Sequence, residues 1–113
     1  MQCTLTESNN EQAIFNVTGV QSKEELLRQL DVFFPGGEYS IAWSEGDARV
    51  YEKNISIKRF LGSTTKVFQV SLGVGADSDQ YAIVIKKGAS LSGTEADKEF
   101  LILIEAIKIY FNR

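Results

Sequence analysis

The sequence predicts an α+β domain: an antiparallel sheet of about five or six strands with two helices, near residues 22–34 and 95–111, packed mainly on one face. Three observations predict it. Strict alternation of apolar and polar side chains recurs in several short stretches, the signature of half-buried strands. Two other stretches carry the 3.6-residue spacing of amphipathic helices. The helical stretches are separated by runs of strands, without the regular strand–helix alternation of a parallel sheet. At 113 residues, with 43% hydrophobic and 11% aromatic content, the chain reads as one domain, 1–113, able to build a core without disulfides or metals.

Residues 12–18 read as a strand, with Ala13, Phe15 and Val17 on one side, and residues 2–6 as a short partner across the turn Ser8–Glu11. Ser22 followed by Glu25 is a capping box, and Leu26, Leu27, Leu30, Phe33 and Phe34 form one apolar stripe behind it. Pro35-Gly36-Gly37 is expected to stop that helix. Tyr39, Ile41 and Trp43 alternate with polar or small residues, and Ser44-Glu45-Gly46-Asp47 reads as the turn into a returning strand, 48–52. Residues 54–62 fit either a strand or a short helix capped by Asn54, with β-branching favouring the strand. Phe68, Val70, Leu72 and Val74 should pair with Tyr81, Ile83 and Ile85 as a hairpin, joined by a turn-rich connection over 73–79.

Thr94 and Asp97 suggest a second capping signature, followed by an apolar stretch, 100–111, broken only by Glu105 and Lys108. Its length favours a helix. One stripe (Ala96, Phe100, Leu103, Ile107, Tyr110) can face a sheet, which leaves Leu101, Ile102, Ile109 and part of Phe111 in need of other cover.

The chain contains no histidine and one cysteine, Cys3. Imidazole-based nucleophile pairs and a structural zinc set are thereby excluded, and no cofactor or metal is expected. Gly73-Val-Gly75-Ala-Asp77-Ser-Asp79 lacks the third glycine and the following helix of a phosphate loop, and the acidic positions of a calcium loop. The acidic pairs at Glu24-Glu25 and at Asp97 and Glu99 stand at helix starts, where the macrodipole favours negative charge. Cys3 has no basic neighbour to stabilise a thiolate and reads as inert. The expectation is a non-enzyme.

The net charge of −3 and pI near 4.9 argue against nucleic acid as a partner, and the basic pairs Lys58-Arg59 and Lys86-Lys87 read as solvated faces. Residues 1–7 lack the charged-then-apolar pattern of a signal peptide, and no apolar run is long enough to span a bilayer, so a cytoplasmic protein without a membrane partner is expected.

In size, charge and architecture the chain is similar to small cytosolic immunity proteins and antitoxins, and also to dimeric secretion chaperones. The first similarity implies a non-enzymatic inhibitor that blocks a basic partner protein through loop carboxylates, with Glu45, Asp47, Asp77 and Asp79 as contact candidates. Arg49 and Tyr51, expected on an outer sheet face, are further interface candidates by residue type. The second implies a homodimeric scaffold with the C-terminal helix as its seam, through Leu101, Ile102 and Ile109. A third alternative is a small-molecule pocket near Trp43.

Overall fold

Alternating apolar residues line up into a single antiparallel sheet in the computed structural model, which describes residues 1–77, 80–88 and 93–112, without the side chains of Arg59 and Asp77. In chain order the elements are β1 (Gln2–Ser8), β2 (Gln12–Thr18), α1 (Lys23–Gly36), β3 (Ser40–Glu45), β4 (Ala48–Arg59), β5 (Gly62–Asp77), β6 (Gln80–Lys87) and α2 (Thr94–Tyr110). The sheet has six strands in the order β1-β2-β6-β5-β4-β3. The α1 crossover carries the chain from β2 to the far edge, and the meander from β3 to β6 returns to close the gap. There Ala13 meets Ile85 and Phe15 meets Ile83. The expected β1–β2 and β5–β6 hairpins both form.

Buried residues of the sheet (Phe15, Val17, Phe68, Val70, Ile83, Ile85) and of both helices (Leu26, Leu30, Phe34; Phe100, Leu103, Ile107) join in one core cluster. Removing that apolar surface from water supplies the main driving force for the fold. Asn112 fastens the end of α2 to the edge strand: its side-chain amide accepts from the Cys3 amide at 2.8 Å and donates to the Cys3 carbonyl at 2.7 Å. No helix among the described residues is long and apolar enough to cross a membrane.

Several local expectations are corrected. Helix α1 passes through Pro35 and ends at Gly36, because a proline in the last turn removes only one terminal hydrogen bond. Gly37 then donates to the carbonyls of Phe33 and Phe34, and Glu38 takes the left-handed conformation (φ 72°) that turns Tyr39 back under Phe34. Ser22 caps α1 as expected, its hydroxyl accepting from the Glu25 amide at 3.1 Å.

The Thr94/Asp97 capping signature is not used. Gly93 occupies the cap position without a side-chain bond, Thr94 is already helical, and Asp97 receives Lys87 instead. The helical alternative for 54–62 is also overturned. Strand β4 runs on to Arg59, Phe60-Leu61 form the turn, and Gly62 (φ 134°) opens β5. Gly73 and Gly75 lie inside β5 and pair with Val84 and Ala82, so the expected connection over 73–79 is shorter than its glycines suggested.

A bulge at Ala42 breaks the alternation that was expected to keep Tyr39, Ile41 and Trp43 on one face. Ile41 faces Tyr51, but Trp43 faces Val50, because one extra residue in β3 shifts the alternation. Trp43 and Ile41 are both exposed, at 49% and 55%, because β3 is an uncovered edge strand, while Tyr39 just before it is buried.

Candidate functional site

Small residues open a cleft between the helices. The last turn of α1 ends in Gly36 and Gly37, and α2 presents Ala106 between bulkier neighbours. A Cβ added at Gly36 would meet nothing within 4 Å, so the space beside it is open. The core-facing stripe of α1 is Leu26, Leu27, Leu30 and Phe34; Phe33, one position off that stripe, turns towards α2. Its ring lies 5.0 Å from that of Tyr110 and 6.0 Å from that of Phe111, closing one end of the cleft. Val32 and Ile102 stand on the rims, and the cavity measures about 400 Å³.

One charge pair breaks this apolar lining. Lys53 projects from β4 and Glu99 from the first half of α2, with Nζ 3.5 Å from Oε2. At that separation the two form an ion pair, and Glu99 Oε2, shielded from water, takes no hydrogen bond among the described residues. The Lys53 ammonium also lies 5.5 Å from the centre of the Tyr39 ring, within cation–π range. Burial, reinforced by the negative charge of Glu99, pushes the Tyr39 phenol above its ordinary range. The cleft thus offers apolar contact and one charge pair, which is chemistry for recognition.

The sequence-derived candidates lie elsewhere, with one exception. Ile102 lines the cleft; it, Leu101 and Ile109 are 53%, 61% and 69% exposed. Of the four residues that the helical spacing left without cover, these three are exposed, whereas Phe111 is buried against Phe33 and Tyr110. Glu45 and Asp47 flank Gly46 in the β3–β4 turn, and Asp47 is paired with Lys23 at 2.8 Å, which holds the lysine above its ordinary pKa. The register Ala48↔Gly73 puts this turn at the same end of the sheet as the close of β5 at Asp77. The side chain of Asp77 and the whole of Asp79 lie outside the described residues.

Arg49 and Tyr51 do share a side of β4, but it is the side covered by α1. Tyr51 is 1% exposed, its ring stacked on Phe34 with centroids 4.0 Å apart. Its hydroxyl donates to Asp31 Oδ1 at 2.7 Å, and Arg49 Nε lies 3.3 Å from the same oxygen. Burial first, then the Asp31 carboxylate, raises the Tyr51 phenol. Arg49, Tyr51 and Asp31 thus bind α1 to the sheet. The outer-face placement of Tyr51 fails because it is Val50 that faces Trp43 on the other side.

Trp43 borders a separate shallow depression of about 310 Å³ with Val50, Gly73, Val84 and Lys86. Cys3 is buried, which pushes its thiol up to about 11. No three Cys, Asp or Glu side chains among the described residues converge as a metal ion would need.

Sequence reasoning did not pick out Lys53 or the cleft itself, and read Glu99 only as an acidic residue at a helix start. The available signal was small: Lys53 has the same parity as Tyr51, so a charge was due on a covered side of the strand. No known family model matches the chain, and no curated protein sequence matches it.

Proposed function

We propose that this protein is a non-enzymatic protein-binding module of the inhibitor type, which seizes an apolar element of its partner in the α1–α2 cleft. One observation carries the reading: an open, largely apolar cleft of about 400 Å³ holds one charge pair, Glu99 with Lys53 at 3.5 Å, in which Glu99 Oε2 takes no hydrogen bond among the described residues. A bound partner that brings a polar or charged group beside an apolar side chain would meet the apolar lining and the Glu99–Lys53 pair together. The net charge of −3 favours encounter with a basic partner, as for an immunity protein or antitoxin. A cytoplasmic setting is part of the proposal, supported by a single cysteine that has no partner for a disulfide.

The test compares native-cell capture by the wild-type chain and by Ala106→Trp, which fills the cleft. A protein retained by the first, lost by the second, and binding the purified wild-type chain one to one would support the reading. Equal retention by both, or loss only with Trp43→Ala, would move the site away from the cleft.

A second reading has its own observation. The exposed Leu101, Ile102 and Ile109 along α2 fit a homodimer seam. Ile109→Asp should then dissociate a dimer without unfolding the chain.

A further inference from the structure

The β4–β5 hairpin projects as an arm from the end of the body, in a molecule measuring 53 × 24 × 24 Å. Beyond the pairs Glu52↔Ser40 on one side and Val70↔Lys87 on the other, β4 and β5 pair only with each other, from Lys53↔Phe68 out to Arg59↔Gly62. The arm is mostly polar, with Asn54, Ser56, Ser63, Thr64 and Thr65 along it. Its tip is the opposite: Phe60 is 99% exposed and Leu61 93%. Two large apolar side chains held this far from the core do nothing for the fold of a single copy.

We propose that the arm tip docks in the α1–α2 cleft of a second copy of this chain, so that two molecules clasp each other reciprocally. Charge complementarity identifies the occupant. Residues 54–76 contain three cations (Lys58, Arg59, Lys66) and no carboxylate, which leaves nine cations against fifteen carboxylates elsewhere, a body of net −6 that includes the cleft. An arm of that sign is drawn to a second body and repelled by a second arm. The cleft matches the tip in kind: it is largely apolar, and its one carboxylate, Glu99, suits the cation that Lys58 carries two positions from Phe60.

Reach excludes the molecule's own cleft. Lys53, on the cleft floor, is the root of the arm, and six further residues of extended strand carry the tip about 20 Å away. A two-fold axis crossing the arms lets each tip enter the other copy's cleft, and such a contact closes at two molecules. The inference rests on the cleft being a protein-binding site and names its occupant.

The experiment is sedimentation of the full chain over a wide concentration range, with four variants. The wild type should form a dimer that weakens as salt rises. Phe60→Ser/Leu61→Ser should weaken it about 100-fold or more with no change in melting temperature, since both side chains are exposed. Ala106→Trp should do the same from the cleft side, as should Val32→Glu, a rim substitution at an exposed position that spares the core. Mixing the tip variant with a cleft variant should restore association, because one intact tip then meets one intact cleft. A monomer at every concentration overturns the proposal. So does a dimer that ignores the tip variant but falls apart with Ile109→Asp, or a mixture that fails to associate. Tip-dependent binding to phosphatidylserine vesicles by a chain that stays monomeric also overturns it, in favour of a lipid surface. If capture of a foreign partner depends on Ala106 while no dimer forms, the cleft reading survives and the arm inference falls.

Discussion

The first five residues of β4 and its last seven follow the same alternation and meet different fates. Over 48–52 the strand lies between β3 and β5, and α1 covers one side, so Tyr51 is sealed beneath Phe34. Over 53–59 it has β5 alone, Ile55 and Ile57 are only partly buried, and the strand runs out to a bare Phe60-Leu61 tip. Alternation says which side chains share a face. Burial is decided by neighbouring strands and by whatever lies over that face. One strand can therefore be core at one end and a probe at the other.

The largest effect should come from breaking the sealed end. Phe34 is fully buried and touches both Tyr51 and Tyr39, so Phe34→Ala should cost about 3–5 kcal/mol in urea unfolding. A loss below about 1 kcal/mol would mean that this end is looser than its packing indicates.

Lys53, at the boundary between the two regions, comes next. Lys53→Met leaves Glu99 in the cleft without its cation and should cost about 1–3 kcal/mol, discounted for the one-fifth exposure of both groups. Adding Glu99→Gln should recover most of that loss, and a double variant as unstable as the single one would show that the lysine acts through packing alone.

Alkaline pH sharpens the comparison, because the groups it strikes are in the body. The Cys3 thiol is pushed up to about 11 by burial, and Tyr39 and Tyr51 are raised as well. Between the unfolded and folded values the native state holds more protons than the unfolded one, so stability falls as pH rises. For Cys3 the loss begins near the ordinary thiol value of 9.0 and is complete near 11. The urea midpoint should drop across that window, less steeply in Cys3→Ala.

The smallest effect belongs to the tip. Phe60→Ser should change the stability of the isolated chain by no more than about 0.5 kcal/mol, a tenth of the cost at Phe34. A larger loss would show that the tip is covered in the molecule as it exists in solution.

Much of the fold was legible because it follows from local periodicity. The strands around Phe15, Val70 and Ile83, the Ser22 cap and the stripe of α1 can each be read within a window of a few residues. So could the uncovered Leu101, Ile102 and Ile109, since a helix apolar nearly all round must leave some side unserved. Trp43 and Tyr51 were misread for a different reason. A single bulge residue, Ala42, shifts the phase of one strand against its neighbour, and alternation gives faces without saying which one a helix will cover. Thr94 and Asp97 show the same limit at a helix end, where the cap falls on Gly93 and a distant lysine takes the carboxylate.

By itself, then, the sequence determined the α+β class, the antiparallel pairing of its hairpins, the extent of both helices to within two residues and the absence of imidazole chemistry. These depend on residue type and short spacing. The tertiary structure alone decided the cleft, which brings Gly36, Lys53, Glu99 and Ala106 together across some seventy positions of chain. It also decided that β4 and β5 run on beyond the ends of β3 and β6, paired only with each other as far as the exposed Phe60-Leu61 tip. Contacts of that range are set by how the elements pack, and no local pattern encodes them.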